Sequence, residues 1–155
     1  MEHRGVTAIR DLVCEETWWV RKEKFRADRH VAGNVYRFTR LYLLADREHV
    51  LVDIEDAAVI GRVLMSNAVA HSGVSEHAVI PVTWALLQSG ALVIQVHDRI
   101  RDFPDFDDAM EWEPSEDERP RGLWTARQRG AEIAYALTEG GKVVQALIKP
   151  RALPA

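Results

Sequence analysis

Four short stretches carry residue types suited to binding chemistry. Asn67 is a lone amide in Val63-Leu-Met-Ser-Asn-Ala-Val-Ala-His-Ser-Gly73, among small and apolar neighbours. Asp98 closes an alternating stretch, and a carboxylate at the mouth of a sheet offers a directional acceptor beside apolar walls. Gly122 precedes a short helical pattern, where backbone N–H groups favour phosphate, and Arg121 beside it adds charge. Gly140-Gly141-Lys142 sits between two alternating runs. Each has a plainer reading as well: a solvated or core-bonded Asn, and a turn residue at a strand end. Metal chemistry is poorly served. His71 and His77 are six apart across a loop and His97 adjoins Asp98, so none forms the i, i+4 pair or cluster that zinc sites use. The residue order argues for no Ser-His-Asp arrangement.

Elements of both periods must position these groups. Thr17–Phe25 reads as a strand whose adjacent Trp18 and Trp19 point to opposite faces. Asp28 is expected to N-cap a helix in which Val31, Val35, Phe38 and Tyr42 share one face. Gly33 inside it implies close packing against a neighbour, since glycine costs roughly 1 kcal/mol there. Asp53–His71 reads as a second helix with Ala57, Ile60, Leu64 and Ala68 inward, and Val59, Val63 and Asn67 on an adjacent face. A polar loop over 72–77 ends it. The period then becomes two: Val82, Trp84 and Leu86, a two-residue turn at Ser89-Gly90, then Leu92, Ile94 and Val96. Residues 121–129 suggest a short helix, and 132–148 a second hairpin about Glu139-Gly140-Gly141.

Between them, 99–121 has no periodicity and contains Pro104, Pro114 and Pro120. An irregular stretch this long is usually functional or disordered. Nine acids from Asp102 to Glu118 surround Phe103, Phe106, Met110 and Trp112. Two readings stand: a solvated acidic loop, or aromatic groups that dock on a basic partner or fold over a pocket.

The 155 residues suffice for one domain with a real core, and 47% apolar with 28% charged residues is ordinary for a globular chain. A net charge of −4 gives no electrostatic case for nucleic acid or an acidic membrane as main partner. Cys14 is the sole cysteine, so no intramolecular disulfide or cysteine cluster forms. No apolar run approaches the roughly 20 residues of a membrane span, and the charged N-terminus has no signal-peptide core. A cytoplasmic location is the default expectation.

Taken together, the four stretches resemble the nucleotide boxes of the Bergerat-fold (histidine kinase-like) ATPases, in particular the anti-sigma-factor serine kinase branch. The box around Asn67 is similar to that branch's Glu-Leu-Val-Thr-Asn-Ala-Val-Arg-His-Gly, with a serine inserted before Gly73. Val96-His97-Asp98 is similar to Val-Thr-Asp, Pro120-Arg121-Gly122-Leu123 to the Gly-Arg-Gly-Leu lid box, and Gly140-Gly141-Lys142-Val143-Val144 to Gly-Gly-Lys-Thr-Val. The resemblance covers roughly 17–149, leaving an N-terminal extension over 1–16 and a tail over 150–155. It implies an α/β (α+β) two-layer sandwich: a mixed, mostly antiparallel sheet with helices on one face. It further implies ATP as ligand, with Asp98 accepting from the adenine amino group. Asn67 would help hold Mg²⁺ on the triphosphate, and His71, Arg121, Gly122 and Leu123 would complete the nucleotide site.

The departures fall on that site. Val63 stands where the branch has the Glu that activates the attacking water or serine. Asp56 shares the face but lies about 16 Å up the axis from Asn67, at 1.5 Å per residue, too far to replace it. Ile100 and Pro120 replace glycines, and Val143 replaces the Thr that supports the adenine Asp. The resemblance therefore implies a regulatory protein with weakened or lost catalysis that works by partner binding, the partner being a sigma factor or an anti-anti-sigma-type protein. An active serine kinase for an anti-anti-sigma partner and a nucleotide-free binding module are the alternatives, and a homodimer is compatible with each.

Overall fold

The computed structural model describes residues 15–72, 77–99, 110–116 and 122–151, without the side chains of His71 and Ser72. Along the chain run β1 (Thr17–Arg26), α1 (Val31–Ala45), α2 (Ile54–Ser72), β2 (Val79–Leu87), β3 (Leu92–Asp98), α3 (Gly122–Gln128), β4 (Ala131–Thr138) and β5 (Gly141–Ile148). The strands form one sheet in the order β1-β2-β3-β5-β4. This is the α+β sandwich that the sequence implied, with one refinement. Every ladder among the described residues is antiparallel, so no strand makes the sheet mixed.

The helices cover one face. Trp84, Leu86, Ile94, Val96, Val144, Ala146 and Ile148 face α1 and α2 in a single buried cluster with Val35, Leu43, Ile60 and Leu64. Period-two alternation places these strand residues on a common side, and the 3.6-residue period stacks their helical partners. The other face carries a smaller cluster of Leu87, Ala91 and Val93. Trp18 and Trp19 divide as the strand demands: Trp18 is 46% exposed, whereas Trp19 packs against the main core.

Three local expectations are corrected. Asp28 does not cap α1: the N-cap is His30, which has no side-chain capping bond, and the Asp28 carboxylate instead accepts from the His30 N–H at 2.8 Å in the preceding turn. Asp53 does cap α2, accepting from the Asp56 N–H at 2.8 Å. The close helix–helix approach is not at Gly33, where an added Cβ would meet nothing within 4 Å. It is at Gly61 of α2, where a Cβ would stand 3.0 Å from Thr39 Oγ1 and 3.3 Å from Val35 Cγ1. The β2–β3 turn is a three-residue loop, Gln88-Ser89-Gly90, because the Leu87 N–H reaches the Ala91 carbonyl at 2.8 Å. Gly90 takes φ +93°, the left-handed residue such a loop needs.

Candidate nucleotide-type site

Asp98 and Lys142 meet at one end of the sheet, where the end of β3 pairs with the start of β5. Val63 and Asn67 are four apart on α2 and so share a helical face. Val63 is half-buried and packs against the main core, while Asn67 is half-buried five residues before the end of the helix as described. An apolar side chain seated in the core has no proton to take or give, so the position offers no general base. Asp56 is placed at the opposite end of α2, in an ion pair with Arg129 at 2.9 Å. That removes it from any role beside Asn67, as the axial distance required.

Asp98 ends β3 on the helix-covered face, and His97, one residue earlier, must point the other way. Lys142 is its registered partner on β5. Directly opposite residues of an antiparallel pair share a face, and here they meet: Lys142 Nζ donates to Asp98 Oδ2 at 3.0 Å. The two side chains are only 4% and 3% exposed, so the pair is removed from water. Gly141 allows this approach. Any Cβ there would run into the Asp98 carbonyl oxygen and the backbone of Arg99. The Gly-Gly-Lys motif therefore does two things: its second glycine lets the strands close, and its lysine fills the gap with a cation.

That contact decides how well the residues suit an adenine base. A hydrogen bond to a charged acceptor is worth about 1.5–3 kcal/mol. Breaking a buried ion pair by withdrawing one partner costs about 3–5 kcal/mol. A neutral purine amine that had to displace the ammonium from Oδ2 would therefore gain less there than is lost. With Oδ2 held by the ammonium and the side chain only 3% exposed, Asp98 as arranged does not fit the adenine-acceptor role.

The remaining site residues divide. Gly122 opens α3 at φ +60° and is exposed, while Leu123 is 3% exposed and belongs to the core. The core position of Leu123 serves packing of α3 against α2. Arg121 and the side chain of His71 lie outside the described residues, as do Cys14, Ile100, Pro120, Phe103 and Phe106. Of the acidic stretch, Met110 packs on the core and Trp112 meets Trp124 edge-on, with ring centroids 6.5 Å apart. No group of three or more potential ligands for a metal occurs among the described residues. No described helix is long and apolar enough to cross a membrane.

Lys142 is the buried partner of Asp98 that sequence reasoning did not single out. The sequence offered only a lysine directly after two glycines; the register that sets it opposite Asp98 comes from the sheet. A lysine in an alternating strand reads as solvent-facing. The sequence also gave no sign of a groove of about 880 Å³ on the sheet's other face, lined by Val20, Lys22, Lys24, Ala85, Gln95 and His97. Burial there, with Lys22 nearby, pushes the His97 imidazole below its ordinary value of 6.5. The groove and the Asp98 site are on opposite faces, and it is the second that the sequence motifs mark.

Neither a protein-family model nor a curated protein matches the sequence. Solved structures do. The SiaB-SiaC complex from Pseudomonas aeruginosa matches with a TM-score of 0.57 at 17% identity, covering 92% of this chain and 96% of that one. The RsbU and RsbW domains of Rv1364c from Mycobacterium tuberculosis match with a TM-score of 0.54 at 19% identity, covering 84% of this chain. This chain spans about a third, 32%, of that second one. The likeness shows the fold alone: an α+β sandwich shared with those structures.

Proposed function

We propose that this chain is a regulatory protein that acts by binding a protein partner, a sigma factor or an anti-anti-sigma-type protein, with phosphotransfer weakened or lost. The observation that carries the reading is Val63: it stands one helical turn before Asn67, at the position from which the resembling kinases activate the nucleophile, and it is packed into the core. A positioned general base is worth about 10²–10⁴-fold in rate, and this side chain supplies none of it. The matching structures support the partner half. One is the SiaB-SiaC complex, and the other joins RsbU and RsbW domains.

The test is a binding screen against sigma factors and anti-anti-sigma-type proteins of the source genome, run alongside incubation of each hit with γ-labelled ATP and Mg²⁺. The expected result is a stable complex without label on the partner. Labelling of a partner serine that Asn67→Ala abolishes would instead establish an active kinase.

A further inference from the structure

We infer that Lys142 is a built-in occupant of the purine-amine position: its ammonium holds Asp98 Oδ2 within a buried pair, and this makes the site reject adenine nucleotides. The inference rests on the carried-over role of Asp98 as base acceptor and deepens the proposed function by making partner binding nucleotide-independent.

Three observations support it. Lys142 and Asp98 face each other in register across β3 and β5, so the contact follows from the backbone and needs no long-range reach. Both side chains are almost fully buried, and the ammonium is within hydrogen-bonding distance of Oδ2 at 3.0 Å. Gly141 lets the start of β5 lie against the backbone of Asp98 and Arg99, where any Cβ would clash, and so sets Lys142 beside Asp98. A base entering this end of the sandwich meets a carboxylate already engaged by a full positive charge. Its amine is a neutral donor and competes poorly, because hydrogen bonds with two charged partners are the stronger ones.

The position also predicts which ligand feature is being excluded. A carboxylate freed of the lysine would accept from the exocyclic amine of adenine, whereas hypoxanthine presents a carbonyl at the same place and is repelled. ATP and ITP are therefore the discriminating probes.

The experiment titrates ATP and ITP, each with Mg²⁺, into the full chain, Lys142→Met, Lys142→Arg and the double variant Lys142→Met/Asp98→Asn, by calorimetry, with thermal melts to establish folding. The expected result is no preference for ATP in the parent or in Lys142→Arg, which keeps the cation. Lys142→Met should prefer ATP over ITP by about tenfold to a hundredfold, the worth of one hydrogen bond to a charged acceptor. The double variant should lose that preference. If Lys142→Met does not fold, Lys142→Gln, a weaker donor, should give an intermediate preference.

Two results would overturn the inference in different ways. If the parent prefers ATP and Asp98→Asn abolishes the preference, Asp98 is a base acceptor but Lys142 does not block it. If folded Lys142→Met gains nothing, or gains equally for ITP, Asp98 does not read a purine amine. Neither result touches partner binding, which the screen above tests separately.

Discussion

The Trp84 indole Nε1 donates to Thr39 Oγ1 at 2.9 Å, tying the second strand of the sheet to the middle of α1 through a fully buried contact. Thr39 in turn donates to the Val35 carbonyl at 2.7 Å. The hydroxyl therefore serves as donor within its own helix and acceptor for the sheet. Thr39→Val keeps the shape and orphans the indole N–H, so it should lower stability by about 1–3 kcal/mol. Urea unfolding of Thr39→Val, Trp84→Phe and the double variant measures this. The double variant should lose less than the sum of the singles, and full additivity would show that the hydrogen bond contributes nothing.

Gly61 faces the same hydroxyl. A methyl at 3.0 Å from Thr39 Oγ1 requires the threonine to give way, and its two hydrogen bonds prevent that. Alanine adds roughly 1 kcal/mol of helix propensity, while overpacking costs typically about 1–3 kcal/mol. Gly61→Ala should be destabilising by about 1 kcal/mol, and Gly33→Ala, with open space around it, stabilising. A thermal melt of each variant checks the opposite signs.

The Asp98–Lys142 pair predicts a stability signature independent of any ligand. Asp98→Ala leaves a buried ammonium without this carboxylate and should cost about 3–5 kcal/mol. Replacing both by apolar residues, as in Asp98→Leu/Lys142→Met, should recover most of it, since a well-packed apolar pair often equals a buried ion pair. Equal losses in the single and double variants would mean that the pair is not the source of the effect.

His97 predicts a pH dependence. Burial, then Lys22, hold its folded pKa below 6.5, so the unfolded chain takes up a proton at a pH where the folded chain stays neutral. Stability is then full above 6.5 and falls as pH drops from there through the lower folded value. The Asp46 carboxylate behaves in the opposite sense. Burial raises its pKa, but hydrogen bonds from His49 and Trp19 outweigh that and bring it below 3.8, so its contribution persists above 3.8 and is lost only in stronger acid. Denaturation midpoints at about pH 7.5 and about pH 5.5 should differ in the parent and converge in His97→Gln.

Val63→Glu tests whether the missing acid alone explains silence. Placing a carboxylate against the core destabilises the fold. By the Lys142 argument it should not restore phosphotransfer by itself. Val63→Glu combined with Lys142→Met is the variant expected to show ATP turnover, read as phosphate release, and turnover in Val63→Glu alone would contradict that.

The sequence by itself determined the element order and which residues face inward. Alternation in β2 and β3 and the 3.6-residue stripe of α2 are local consequences of backbone geometry, so Trp84, Leu86, Ile94, Ile60 and Leu64 could be read directly as core. It also placed Val63 and Asn67 on one face, because i and i+4 are fixed by the helix. Pairings between distant parts of the chain were left to the tertiary structure. Thr39 looks like a surface residue until Trp84, 45 positions away, supplies its partner. Gly61 rather than Gly33 marks the helix contact because the crossing of α1 and α2 selects the point of approach. Lys142 looks solvated until the β3–β5 register sets it, 44 positions on, against Asp98 in a buried pair. A strand pattern fixes which side a residue faces, but the partner it meets there depends on sheet order, and β5 lies between β3 and β4 only once the whole sheet has assembled.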